Sequence, residues 1–194
     1  MTFEEIKKKL SRYTVGIAGA GGLGSNCASS LVRSGIGRLV IADFDIVSHS
    51  NLNRQFFFTD QVGMPKVDAL KINLERISSE SVVEAYNLKL DNNNIANLFK
   101  DCDIIVEAFD RSDMKLMFAE TLAAELPGTP LIMGSGVAGW GGNEELRSRK
   151  VDDTLYICGD EKAEVSGQLP PIAPRVTIVS NMQANIVLEI LLKR

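Results

Sequence analysis

The sequence predicts an α/β protein: a mostly parallel sheet with helices on both faces and a few antiparallel strands toward the C-terminus. Two observations carry this. Short apolar runs alternate with longer segments of helical period, as in strand–helix–strand units, and the first apolar run ends on a glycine cluster. Val15, Ile17 and Ala18 lead into Gly19, Gly21 and Gly24, which fit G-x-G-x-x-G. In a Rossmann-like fold such glycines permit the tight turn, close backbone approach to a phosphate and close helix–strand packing. A helix starting near Gly22 would aim unpaired N–H groups at that phosphate.

The remaining elements follow in order. Phe3, Ile6 and Leu10 have helical spacing. The first strand lies near Val15, a helix runs from Gly22 to about Ser34, and Gly35 and Gly37 stop it. Arg38 to Ala42 is the second strand. The polar segment from Ile46 to Pro65 has no clear period and is predicted to be an ordered loop with one helical turn, with Phe56, Phe57 and Phe58 as buried packing. Long loops inside compact domains are usually functional. Val67, Leu70, Leu74 and Ile77 make one helical face. A strand is predicted over Val82 to Leu88, a short helix over Asn92 to Phe99, and a strand over Asp103 to Phe109. A helix over Ser112 to Glu125 stops at Pro127 and Gly128, and Leu131 to Met133 is the next strand. A glycine-rich loop with the single Trp140 follows, then two antiparallel strands between Glu145 and Ile157. Cys158 to Pro174 is predicted to be a crossing loop, and Arg175 to Lys193 a final helix with a broad apolar surface.

Composition narrows the function. At 194 residues the chain is expected to form one domain, 1–194. A net charge of −4 and the absence of a Lys/Arg block argue against nucleic acid as a partner. No signal peptide and no apolar run of membrane-spanning length are visible, so a cytoplasmic location without membrane contact is expected. The three cysteines, Cys27, Cys102 and Cys158, are far apart and form no C-x-x-C pair, so reduced thiols are expected.

The site candidates cluster between residues 15 and 66. Asp43 stands at the end of the second strand, about 20 residues past the glycines, where a ribose-binding acid belongs. The segment Ser50-Asn51-Leu52-Asn53-Arg54-Gln55 and the run Gly63-Met64-Pro65-Lys66 then bring two cations. Arg54 offers a planar fork and Lys66 a point charge, a pair suited to a triphosphate, which favours ATP over NAD. Lys66 opens a helix, where a cation is disfavoured unless an anion shares the site. Asp110 either caps the helix beginning near Ser112 or ligates Mg²⁺ beside phosphate. His49 is expected to be a solvated loop residue and not a base.

These motifs together resemble the ThiF/MoeB family of adenylating enzymes, relatives of the ubiquitin-activating enzymes, and especially their short ThiF-type members. The residues that carry the resemblance are GAGGLG at Gly19 to Gly24, DFD at Asp43 to Asp45, SNLNRQ at Ser50 to Gln55, MPK at Met64 to Lys66 and EAFD at Glu107 to Asp110. The resemblance implies ATP-dependent adenylation of the C-terminal glycine of a ubiquitin-like sulfur carrier ending in Gly-Gly, with pyrophosphate released. It points to the carrier of thiamine thiazole synthesis. Gly19, Gly21, Gly22, Gly24, Asp43, Asp45, Asn51, Arg54 and Lys66 would hold ATP. Arg54, Lys66 and Asp110 would act in the reaction, with Asp110 holding Mg²⁺. Longer relatives carry two zinc-binding C-x-x-C pairs that this chain lacks, so no structural zinc is expected. They also place an arginine-bearing segment well before the glycine turn, and Arg12 cannot be equated with it. Some relatives use a crossing-loop cysteine, but Cys158 has no basic neighbour to lower its pKa and is expected to be inert. A homodimer is expected. A nicotinamide or flavin oxidoreductase and a relative that adenylates a tRNA base are the competing readings.

Overall fold

The computed structural model describes residues 1–194. Its elements are α1 (Phe3–Leu10), β1 (Thr14–Ala18), α2 (Gly22–Ser34), β2 (Arg38–Asp43), α3 (Lys66–Glu75), β3 (Val82–Asn87), α4 (Ile95–Phe99), β4 (Ile104–Glu107), α5 (Ser112–Glu125), β5 (Leu131–Gly134), β6 (Arg147–Lys150), β7 (Leu155–Gly159) and α6 (Ala173–Lys193). The seven strands lie in the order β3-β2-β1-β4-β5-β7-β6. Every pairing is parallel except that of β6 with β7. The predicted antiparallel pair is thus present, but β7 itself extends the parallel sheet by pairing with β5.

Side chains alternate across the sheet, as strand geometry requires. Val15, Ile17, Leu39, Ile41, Ile104, Val106 and Ile132 join one core with residues of α1, α2, α3 and α6. Val40, Ala42, Ile105 and Leu131 join the other with residues of α4 and α5. Gly16 faces this second core, where a Cβ would lie 2.6 Å from the Phe99 ring. The missing side chain at the centre of β1 is therefore the seat of an α4 aromatic. α6 is long and apolar enough to cross a membrane by length and composition alone. Here it packs along α2, with Val176, Val179, Val187 and Leu191 in the core. β6, Arg-Ser-Arg-Lys, is exposed throughout and closes one edge.

Several boundaries differ from expectation for identifiable reasons. β4 stops at Glu107 instead of Phe109 because the Glu107 carboxylate accepts the Phe109 N–H at 2.5 Å, turning the chain out of the sheet. α4 starts at Ile95 because Asp91 accepts the N–H groups of Asn93 and Asn94, at 2.8 and 3.2 Å, in a local turn. α3 begins at Lys66, one residue early, and ends at Glu75, two residues before Ile77. The loop after β2 holds two short turns, His49–Asn51 and Thr59–Gln61. Of its three phenylalanines, Phe57 is buried, whereas Phe58 is exposed and meets Phe56 edge-on at 5.8 Å.

Cys158 lies in β7 and not in the crossing loop, because its pairing with Gly134 carries the strand through it to Gly159. All three thiols are buried. Burial pushes Cys158 up to about 11 and Cys102 up to about 12, and it raises Cys27 as well. A neutral, enclosed thiol is a poor nucleophile. Iodoacetamide at pH 8 should therefore label none of the three in the folded protein and all three in denaturant, counted by intact mass. Rapid labelling of Cys158 under native conditions would show that β7 opens.

Candidate functional site

The site grows from the turn after β1, at the point where strand order reverses between β1 and β4. Open parallel sheets bind ligands there, outside the carboxyl ends of the strands. Gly19 has a φ of 102°, and a Cβ on Gly24 would lie 1.8 Å from the Gly19 carbonyl oxygen. Only glycine lets the first turn of α2 close on the end of β1. Gly21 is the N-cap of α2 and no side chain caps this end, so the first N–H groups of the helix face outward. Asp43 fixes the turn from the neighbouring strand: it accepts the Ala20 N–H at 2.6 Å and the Asp45 N–H at 2.8 Å.

The loop after β2 returns on itself. Val47 N–H donates to the Met64 carbonyl at 2.8 Å, Gly63 N–H to the Val47 carbonyl at 2.9 Å, and Lys66 N–H to the Asp45 carbonyl at 2.9 Å. Its inner segment is then fastened to α2. Asn26 donates through Nδ2 to the Arg54 carbonyl at 2.9 Å, and Ser25 Oγ accepts the Phe56 N–H at 3.0 Å. Arg54 and Gln55 are thereby laid over the glycine turn. A Cβ on Gly22 would lie 3.6 Å from Arg54 Cγ, and one on Gly21 would lie 3.8 Å from Gln55 Nε2.

The candidate residues meet this site to different degrees. Arg54 is half-buried, and its guanidinium donates to the Ser50 carbonyl at 3.1 Å and to Asn53 Oδ1 at 2.7 Å. Asn51 spends its Oδ1 on the Ser48 N–H at 3.0 Å, so only its amide nitrogen remains to face an anion. Lys66 is not the free cation the sequence suggested. Its side chain is 8 % exposed and its Nζ donates to Asp45 Oδ2 at 2.7 Å. The anion expected beside this helix-opening lysine is supplied by the chain itself. The Asp45 side chain remains half-exposed, so one side of the pair is open to solvent. Asp110 is exposed and lies three residues beyond β4. Arg111 occupies the N-cap of α5 and no side chain caps that helix, so the capping role considered for Asp110 is not realised. A Cβ on Gly19 would lie 2.9 Å from the Ala108 carbonyl oxygen, which places the Asp110 segment against the glycine turn. His49 is exposed, as expected.

Other groups became visible only in three dimensions. Glu107 is fully buried, and burial pushes its carboxyl above the usual range against the pull of Lys115. The Lys115 ammonium is fully used, with bonds to both Glu107 oxygens at 2.8 and 2.9 Å and to the Gly134 carbonyl at 2.8 Å. Phe44, between the two acids, is exposed with Lys89 Nζ 5.9 Å from its ring centre. Arg175, in the first turn of α6, donates to the Gly141 carbonyl at 2.6 Å and pairs with Asp160. The next residue, Val176, packs on Gly22, so the end of α6 borders the same turn. None of these partners shares a local motif, and sequence spacing gave no signal for their pairing.

Known proteins resemble this chain in sequence and in fold. The chain is 37% identical over 110 residues to a molybdopterin-synthase adenylyltransferase of Haemophilus influenzae, covering 56% of this chain and 45% of that protein. It is 36% identical over 138 residues to the sulfur carrier protein ThiS adenylyltransferase of Bacillus subtilis, covering 70% and 40%. The chain thus spans less than half the length of these relatives. The fold superimposes on an Escherichia coli tRNA N6-threonylcarbamoyladenosine dehydratase, TcdA, in complex with AMP. The TM-score is 0.87 at 17% identity, over 98% of this chain and 90% of that one, a likeness of fold. The model of the ThiF family matches residues 2–194, and the chain belongs to that family.

Proposed function

We propose that the protein is an ATP-dependent adenylyltransferase that activates the C-terminal glycine carboxylate of a ubiquitin-like sulfur carrier. The observation that carries this reading is Arg54 over Gly22 beside the uncapped start of α2, with the Asp45–Lys66 pair at the same loop. A dinucleotide site has no general use for a cation laid over its glycine turn, whereas a triphosphate does. The relatives named as carrier adenylyltransferases supply the substrate class. The tRNA reading rests on likeness of fold alone.

In this reading the ribose hydroxyls donate to Asp43, whose oxygens keep lone pairs beyond the two N–H groups they accept. The exposed Phe44 ring offers a face to the adenine. Arg54, Lys66 and the start of α2 hold the phosphates. A glycine carboxylate oxygen attacks the α-phosphorus, the bond from that phosphorus to the pyrophosphate oxygen breaks, and pyrophosphate leaves with the electron pair. No protein nucleophile is needed, only alignment and charge stabilisation. The exposed Asp110 carboxylate fits Mg²⁺, which takes one or two carboxylates and fills its other positions with phosphate oxygens and water. Bound there, Mg²⁺ would neutralise charge gathering on the phosphates. An open groove of about 1000 Å³ along α2 and α6, lined in part by Ser30, Ile178, Met182 and Leu188, suits a second copy of the chain. A cytoplasmic setting goes with the use of ATP.

Arg54→Ala and Lys66→Ala should keep the fold, since each frees only loop or half-exposed partners, and should lower turnover about 100-fold. Far-UV circular dichroism and ATP–pyrophosphate exchange check the two halves of that statement. Exchange should also require a carrier with an intact Gly-Gly tail. No exchange with any such carrier, together with tight NAD binding, would move the assignment to an oxidoreductase. Light scattering at micromolar concentration should give twice the chain mass of 21.2 kDa.

A further inference from the structure

We propose that Trp140 is the anchor on which the folded body of the protein substrate docks, so that the substrate is chosen outside the nucleotide site. The inference rests on the adenylation reading above and states how that reading's substrate is held. A tail that ends in two glycines brings no side chain to the α-phosphate, and its freedom must be lost on threading. Affinity and choice then have to come from the body behind the tail, through a few well-packed side chains. Trp140 is the only tryptophan and, at 68 % exposed, the most exposed aromatic of the chain. It stands in the loop that leaves the carboxyl end of β5, and β5 pairs with β4, whose own end leads to Asp110.

The indole is free, but the backbone that carries it is not. On one side Ala138 is buried, Gly139 N–H donates to the Pro170 carbonyl at 3.0 Å, and a Cβ on Gly139 would lie 2.7 Å from Leu169 Cδ1. On the other side the Gly141 carbonyl accepts Arg175 Nη1 at 2.6 Å. Arg175 is paired with Asp160, which also accepts the N–H groups of Lys162 and Ala163 at 2.8 Å each, and both side chains of the pair are buried. Either one alone would be an unpaired buried charge, so this brace holds one arrangement. The same frame reaches the glycine turn: Asn53 Nδ2 donates to the Pro171 carbonyl at 3.5 Å, and Val176 packs on Gly22. A body docked on Trp140 is therefore held at a fixed place relative to the phosphates. Phe44, Phe58 and Tyr86 are also exposed, but each has a partner within the chain: Lys89, Phe56 and Glu84. No ring or cation lies against Trp140. A rigid aromatic loses little freedom when it is covered, and its ring and N–H edge fit an apolar hollow with an oxygen acceptor at the rim.

Trp140→Ala tests this in the intact protein, with the sulfur carrier that supports ATP–pyrophosphate exchange and with a short peptide of that carrier's own tail. The KM for the carrier should rise about tenfold or more, as for an interface anchor, while kcat at saturating carrier and the Kd for ATP keep their wild-type values. The tail peptide has no body and should be used equally by both proteins. Because Trp140 is the only tryptophan, wild-type emission should shift to the blue when the carrier is added and stay unchanged with the peptide. Trp140→Glu sets a charge against the apolar hollow, so it too should raise the carrier KM, and it carries the test if the alanine variant does not fold. A wild-type carrier KM in either folded variant would overturn the proposal. So would an equal loss with the tail peptide, or a changed mass of the variant in light scattering, which would assign Trp140 to the tail or to contact between copies. No exchange by the wild type with any Gly-Gly carrier would end the adenylation reading and this inference with it, an outcome distinct from normal exchange with unaffected variants.

Discussion

The site depends on one close approach of backbone to backbone, where the first turn of α2 meets the end of β1. At Gly24 the distance leaves no room for a methyl group. Because that contact is made, the N-terminus of α2 sits directly above the sheet, and Asp43 can reach the turn from β2. The loop after β2 is then tied to α2 by Asn26 and Ser25. Were the helix held farther off, neither bond could form, and Arg54 and Gln55 would have no fixed position. The glycines are a packing requirement first, and the uncapped start of α2 beside the strand ends follows from it.

The charges around the turn are largely matched within the chain. Lys66 holds Asp45, Lys115 holds Glu107, and Arg175 holds Asp160. Unpaired buried charge is severely destabilising, so cations buried around the turn need partners within the chain. The pairs are not equivalent. Glu107 is wholly enclosed, whereas Asp45 is half-exposed and can yield its lysine to a competing anion at small cost.

Much of the architecture was legible in local sequence. α5 runs from Ser112 to Glu125 as expected, because a breaker pair at Pro127 and Gly128 follows a continuous helical stretch. The strand–turn–helix at Gly19 to Gly24 was legible because its glycine spacing has one physical solution. The pairing of Asp45 with Lys66 was not, since it depends on how an aperiodic loop closes between Val47 and Met64. Nor was the placement of Cys158 in β7, because the strand's strong β-formers, Tyr156 and Ile157, end just before it and its inclusion is fixed by pairing with Gly134 of β5. Glu107 and Gln55 stood inside recognised motifs, but their burial and partners are tertiary facts.

The two rims of the sheet are unlike each other. β6 presents four exposed polar residues, three of them cationic, while β3 at the far rim exposes Val82 and Tyr86. Free strand rims invite pairing with another chain, and charge discourages it. Self-association through strand addition in a concentrated solution would therefore be directional: it has one apolar starting face, at β3, and meets charge repulsion at the other. A lattice grown by joining such rims would stop after a single β3-to-β3 union, giving discrete pairs and no fibre.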